Sequence, residues 1–551
     1  MECLHGQYAA RVQAFSRDLI GNHENVRVSA TDIANHESCG ASMALKIRPE
    51  VSSDRWQRSF GSEKTFILGE VAQLVRSAHV ADEANDPATL TAWLQEQLQR
   101  RKVHRLLRPY AMTAVPNILQ AHWDLEDEIG ELRMIRSDPS IGRPPRTLWA
   151  WAPLYSTEFG IREIRRHRLG GAHANPDADD MLWAHTAAQI AAKYEGQPVV
   201  TRVRVVEIGA GDGSFNVLFD GSPEQATSEY ESHARQVAAG LGDFADIRPG
   251  FGCSSCKIAG ICEALTPMPG MLGQEAKGYA SRSVSPSDLD RYRACPAQWL
   301  LASDLHLPRT DEYTEAQSRG LAVHTWLEAA HLRSVGCTDA DLPEPGTGMG
   351  LAQGVMTAEE YAVAYPFLRH HVSTCPLAAD SVEVLAVEES AFGFDADADV
   401  VTVTKPDLVY RIGDRLVIRE FKTSSSLPKG GAEQVYGQTT QVAFLLSMLS
   451  SGLKDAYGAT EATVEVEVLT PSGSEMYAWD LEDDHVLTQS REDLASAAGR
   501  WHFDSTWETN PGDHCLWCPV RTWCPDSDVF QQTAAGTGPM LDPIDDPPPP
   551  F

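Results

Sequence analysis

Asp407, Glu420 and Lys422 lie within one short stretch of the later half of the chain, Lys405-Pro-Asp-Leu-Val-Tyr-Arg-Ile-Gly-Asp-Arg-Leu-Val-Ile-Arg-Glu-Phe-Lys422. Two carboxylates with a nearby ammonium suit a hard divalent cation such as Mg²⁺ or Mn²⁺. The carboxylate oxygens would hold the ion, while the lysine orients water or offsets phosphate charge. The acids are thirteen residues apart, so a turn of the chain must bring them together.

The stretch supplies such a turn. Leu408, Tyr410 and Ile412 alternate with other residues as in a half-buried strand, Gly413-Asp414 is a turn signal, and Leu416-Val417-Ile418 starts a second strand. Antiparallel pairing carries Asp407, at the start of the first strand, towards Glu420, near the end of the second. Glu420 and Lys422, two apart, share one strand face. Alone, this pattern also fits a surface hairpin with an ion pair. With Pro406 before Asp407, it resembles the signature of the PD-(D/E)XK nucleases. Arg319-Gly-Leu-Ala-Val-His324 resembles the helix whose histidine ligates metal in the RecB-like branch. The resemblance implies metal ligation by His324, Asp407, Glu420 and the carbonyl of Phe421, with Lys422 at the attacking water. Gln441 stands where the family has a Gln-x-x-x-Tyr element, but Leu445 replaces the tyrosine.

The eleven cysteines carry a second pattern. Cys253-x2-Cys256-x5-Cys262 repeats as Cys515-x2-Cys518-x5-Cys524, 262 residues later. Upstream, Val28-Ser-Ala-Thr-Asp and Val284-Ser-Pro-Ser-Asp each begin a capped amphipathic helix leading to Cys39 or Cys295. Between these ends, Ile161-Arg-Glu-Ile-Arg165 matches Ile418-Arg-Glu-Phe-Lys422, and Gln189 matches Gln441. These landmarks keep their order, so two copies of one domain are expected. The expected divisions are residues 1–264, a linker at 265–281, residues 282–528, and a Pro/Asp-rich tail at 529–551 expected to be disordered. Four thiolates from the ends of each copy can close a tetrahedral site, with zinc as one occupant. A remote cysteine followed by this triplet, with Tyr292-Arg-Ala-Cys-Pro-Ala-Gln-Trp, resembles the [4Fe–4S] staple of AddB-type and CRISPR-adaptation nucleases. Two clusters are therefore implied. Cys3, Cys337 and Cys375 match nothing and are read as unliganded. The expected fold is α/β: two tandem restriction-endonuclease-like domains, each a central mixed sheet flanked by helices and closed by four cysteines.

The copies differ in their chemistry. Glu163 stands for Glu420, but Arg165 replaces Lys422 and Gln73 replaces His324. Counting thirteen back from Glu163 reaches Ala150, with no acid nearby. The first copy is expected to be a degenerate, structural or DNA-guiding half.

A net charge of −31 excludes generic polyanion binding and requires local basic patches, metal or a partner. The densest basic runs are Arg100–Arg105 and Arg165–Arg168. With 42% hydrophobic and 22% charged residues the chain is expected to be globular. It lacks an apolar run of about 18 residues or a secretory leader, so a cytoplasmic, membrane-free protein is expected. It also lacks a Gly-x4-Gly-Lys-Ser/Thr loop. The resemblance implies a DNA substrate and a helicase or ATPase partner, in repair or defence.

Overall fold

Branched and aliphatic runs, buried almost end to end in the central strands, build two separate sheet systems. The computed structural model describes residues 25–48, 67–79, 87–242, 247–276, 282–310, 314–379 and 381–527. They fall into two units. One comprises residues up to Ala264 with 300–309 and 520–528; the other comprises 265–299 and 310–519 with the end of the chain. Cys3 and the Pro/Asp-rich tail lie outside the described residues.

The first unit contains β1 (Val26–Ser29), β2 (Arg133–Arg136), β3 (Ser140–Arg143), β4 (Arg146–Trp149), β5 (Leu154–Ser156), β6 (Ile161–Arg168), β7 (Arg202–Gly209) and β8 (Phe215–Gly221). A five-stranded sheet runs β2-β5-β6-β7-β8, and a three-stranded sheet runs β1-β4-β3. The helix Ala178–Lys193 begins at a capping box in which Asp177 accepts from the Asp180 amide. Its small residues Ala184, Ala187, Ala188 and Ala191, with Trp183 and Ile190, pack on Leu154, Ile164, Val203 and Val205. Segments 300–309 and 520–528 join this unit through specific bonds. The Trp523 indole donates to the Pro308 carbonyl at 2.7 Å, and its ring lies edge-on to Tyr110 at 5.1 Å.

The second unit contains β9 (Thr266–Pro267), β10 (Arg282–Val284), β11 (Val382–Val387), β12 (Ala391–Asp395), β13 (Val400–Thr404), β14 (Leu408–Ile412), β15 (Arg415–Thr423), β16 (Glu461–Thr470) and β17 (Gly473–Asp480). Its sheets run β11-β14-β15-β16-β17 and β10-β13-β12-β9. The two five-stranded sheets show the same succession of pairings: antiparallel, antiparallel, parallel, antiparallel. The smaller sheets share theirs too, a parallel pair followed by an antiparallel one. Ser29 and Ser285 each cap a helix by accepting the amide three residues on, at 3.0 and 3.3 Å, as the repeated Val-Ser motif leads one to expect.

Helices Glu315–His331 and Ala358–His371 bury Trp326, Phe367 and Leu368 with Leu408, Tyr410, Val417 and Phe421 of the sheet. By strand alternation, Arg419 and Phe421 share that face of β15, while Ile418, Glu420 and Lys422 point to the other.

The stretch expected as a linker is packed where it is described. β9 pairs with β12, and the fully buried Asp395 carboxylate gathers the following chain. It accepts from the amides of Gly270 at 3.0 Å, Leu272 at 2.8 Å, Asp397 at 3.1 Å and Ala398 at 3.3 Å. An amide left buried without a partner costs about 1–3 kcal/mol. Asp395→Ala should therefore destabilise the second unit by at least about 3 kcal/mol in urea unfolding, with Asn restoring part of the loss.

Candidate active site and metal-ligating groups

The β14–β15 hairpin forms as the alternation predicts. Leu408 pairs with Arg419, Tyr410 with Val417 and Ile412 with Arg415, and the turn needs Gly413 at a φ of +60°. One further step along this ladder sets Asp407 opposite Glu420. Asp407 is anchored on both sides: its Oδ2 accepts from the Phe421 amide at 2.6 Å, and its carbonyl accepts from the Glu388 amide at 3.1 Å.

His324 projects from the helix Glu315–His331 and completes a cluster. Its Nδ1 lies 3.2 Å from Asp407 Oδ1 and 3.4 Å from Glu388 Oε1, and Lys405 Nζ lies 2.7 Å from the other Glu388 oxygen. Burial works against the imidazolium, but the Asp407 charge and the hydrogen bonds from Asp407 and Glu388 outweigh it, pushing His324 up to about 10. Burial likewise opposes the Asp407 carboxylate, and the His324 charge overcomes this and holds Asp407 down to about 2. Glu420 is 1% exposed. Burial first, then the Asp407 charge, raises it well above the usual carboxylate range.

Glu420 Oε2 lies 3.7 Å from Lys422 Nζ and accepts from Gln441 Nε2. Gln441 reaches it because the chain breaks its helix just ahead of that residue. Helices Gly431–Gln438 and Gln441–Met448 are separated at Thr439. Asp290 accepts there from Thr439 Oγ1 at 2.7 Å and from the Thr440 amide at 3.0 Å, restarting the helix with Gln441 as its first residue. A cavity of about 240 Å³ lies beside these groups, lined by Lys422, Ser424, Ser426, Lys429, Gln438 and Gln441.

The residues fit a divalent ion. The ring nitrogen of His324 and carboxylate oxygens of Asp407 and Glu388 lie within 4.8 Å of one another. Glu420 Oε1 is buried with no hydrogen-bond partner, which is the condition of an oxygen that a cation would satisfy.

Residues 283–525 match the family model of the PD-(D/E)XK nuclease superfamily. The match spans the second unit's cluster and suggests a nuclease. A solved structure described as "Crystal structure of SSO0001" is similar at 13% identity, with a TM-score of 0.22, over 44% of this chain and 86% of that one. No curated protein matches the chain. No helix among the described residues is long and apolar enough to cross a membrane.

Glu388 and Lys405 join the cluster although nothing in the linear sequence singles them out. Glu388 and Glu389 follow directly on β11. Their signal is the position of Glu388 at the end of β11, next to β14.

The first unit presents the same hairpin with other contents. Glu163 pairs with Tyr155, so Tyr155, rather than Ala150, stands opposite the glutamate; the connection is five residues shorter than between Asp407 and Glu420. Arg165 Nε donates to Glu163 Oε1 at 2.7 Å, its guanidinium lies 4.3 Å from the centre of the Tyr155 ring, and NH1 reaches His122 Nδ1 at 2.7 Å. Arg204 NH1 approaches Glu163 Oε2 at 3.3 Å. Gln73 accepts from Arg101 instead. Within the basic runs, Arg166 and Arg168 pair with Asp180 and Glu207, Arg101 with Glu70 and Arg105 with Asp526.

None of the ten described cysteines is in a disulfide. Burial raises the Cys262 thiol to about 11, and the charges of Cys256, Cys253 and Cys39 add to the effect. Gly250 and Gly512 donate their amides to Cys253 and Cys515 Sγ at 3.3 and 3.5 Å, so both triplets begin with the same turn. Within the second unit, Asn510 donates to the Ala294 carbonyl at 2.8 Å. The Ala297 amide donates to the Glu508 carbonyl at 3.3 Å. Together these tie the stretch leading to Cys515 to the residues on either side of Cys295. Cys524 falls in segment 520–528, which groups with the first unit.

His122 supplies a pH test. Burial, then the charge of Arg165, lowers it to about 2, so the folded state binds its proton far less readily than the unfolded chain near pH 6.5. Stability from the neutral imidazole is complete above pH 6.5 and is lost as pH falls below it. The protection of β6 amides, taken relative to their intrinsic exchange rates, should fall between pH 7 and pH 5, and His122→Gln should flatten that dependence.

Proposed function

We propose that the second unit is a divalent-metal-dependent deoxyribonuclease and the first a degenerate copy of it. The observation that carries this reading is the gathering of His324, Glu388, Asp407, Glu420 and Lys422 at one end of the β14–β15 hairpin, beside an open cavity. His324, Asp407, Glu420 and the Phe421 carbonyl, with Glu388, would hold Mg²⁺ or Mn²⁺. A bound ion supplies Lewis-acid activation of water and neutralises charge on the phosphate.

The chain's own groups have separable tasks. The Phe421 amide fixes one Asp407 oxygen, leaving the other towards His324. Gln441 fixes one Glu420 oxygen and leaves Oε1 for ligation. Lys422, on the same strand face as Glu420, orients the attacking water and offsets charge on the scissile phosphate. Water oxygen attacks phosphorus, the bond to the leaving sugar oxygen breaks, and that oxygen takes up a proton. The Ser- and Lys-lined cavity would receive the backbone next to the cleaved bond.

The duplication is supported by the shared strand orders, the matched capping boxes and the matched cysteine turns. The first copy's lack of chemistry is supported by Arg165, whose guanidinium lies against Glu163 where the second copy would place an ion. We further infer that the cysteine sets, Cys39, Cys253, Cys256 and Cys262, and Cys295, Cys515, Cys518 and Cys524, hold [4Fe–4S] clusters, with zinc as the alternative occupant. A helicase or ATPase partner would supply strand separation.

Asp407→Ala, Glu420→Gln and Lys422→Ala should each lower cleavage of end-labelled and circular DNA at least about a hundredfold, with circular dichroism unchanged. Wild-type rates in the Asp407 variant would remove the assignment. Chelation should stop cleavage and Mn²⁺ restore it; DNA bound but never cut under either ion would favour a scaffold instead. Anaerobically purified protein should be brown, and Cys295→Ser or Cys518→Ser should bleach part of the colour; a colourless, equally stable wild type would speak for zinc.

A further inference from the structure

Cys337 and Cys375, which no sequence motif claims, meet two histidines in the second unit. His331 ends the helix Glu315–His331 and His371 ends the helix Ala358–His371. Each is followed on the next turn by a cysteine, Cys337 after five intervening residues and Cys375 after three. One ring nitrogen from each histidine and both Sγ atoms lie within 4.8 Å of one another, and all four residues are buried. Gly336 makes the approach possible, since a Cβ there would come within 2.7 Å of the Ala378 backbone.

The proton inventory points to a cation. His331 Nε2 and His371 Nε2 face each other at 3.1 Å. The His371 Nδ1 lies 3.1 Å from Glu467 Oε2, and donating there leaves Nε2 as a bare lone pair directed into the cluster. Glu467 is itself held by Thr374 Oγ1 at 2.7 Å and Arg419 NH1 at 3.5 Å. A carboxylate behind a ring nitrogen is the usual support of a ligating histidine. In a tetrahedral site with Zn–N distances of about 2.0–2.1 Å, two nitrogens stand about 3.3 Å apart, close to the separation seen. Two thiolates and two neutral imidazoles around Zn²⁺ sum to zero charge, which suits a fully buried position.

We propose that His331, Cys337, His371 and Cys375 form a structural Cys₂His₂ zinc site, independent of the cysteine sets at the unit's ends. It would tie the ends of two helices to the sheet. Phe421, between Glu420 and Lys422, stacks on His331 at 5.4 Å and meets His371 edge-on at 5.1 Å.

The test is elemental analysis of the full chain. The Cys337→Ser/Cys375→Ser double variant should contain one zinc fewer per chain than wild type; equal zinc would overturn the proposal. Should that variant fail to fold, two measurements keep the question decidable. Glu467→Gln should retain the ion but lose it to a chelator about 10–100-fold more readily. In native wild type, alkylation at Cys337 and Cys375 should appear only together with release of one zinc. Alkylation without zinc release, or a Cys337–Cys375 disulfide in the freshly isolated protein, would refute the site.

Discussion

The register of β14 against β15 is the constraint on which the second unit's candidate site depends. It sets Asp407 across from Glu420, and the Phe421 amide locks that choice by donating to Asp407. A slip of one residue would turn Glu420 and Lys422 into the apolar layer and Phe421 outwards. The register is protected from both sides. Val417, Arg419 and Phe421 are packed or ion-paired against two helices and β16, while Glu420 is held by Gln441. Burying these acids side by side is costly, and the local answer is charge sharing, with His324 between Asp407 and Glu388 and with Lys405 and Lys422 at the edges.

The first unit solves the same electrostatic problem with covalent means. Its hairpin also buries a glutamate, Glu163, but the compensating cation is the Arg165 guanidinium from the same strand, sandwiched by Tyr155 and His122. A tethered, planar cation lies against Oε1 of that glutamate, with Arg204 beside Oε2. The two hairpins thus share a frame and differ in the cation beside the buried glutamate.

Local features were the ones legible in the sequence. The β14–β15 hairpin follows from alternation and a Gly-Asp turn, and the capping serines follow from three-residue spacing to an aspartate. What escaped depends on distant partners. Glu388 becomes a site residue through the pairing of β11 with β14. The break before Gln441 is imposed by Asp290, about 150 residues upstream, so a helical pattern could run through it unbroken. Tyr155 was missed as the counterpart of Asp407 because a fixed count along the chain ignores a shorter connection. The histidine–cysteine cluster draws on two helix ends 40 residues apart, a spacing that no compact knuckle motif contains.

Asp290 has a second consequence. It lies on the short helix that runs into Cys295, and the same carboxylate terminates one helix and launches the one that presents Gln441 to Glu420. The helix that leads into Cys295 and the aim of the buried glutamate thus share a single mechanical part. Slack at the cysteine end would be felt as misalignment at the glutamate, without any change in the residues that surround it.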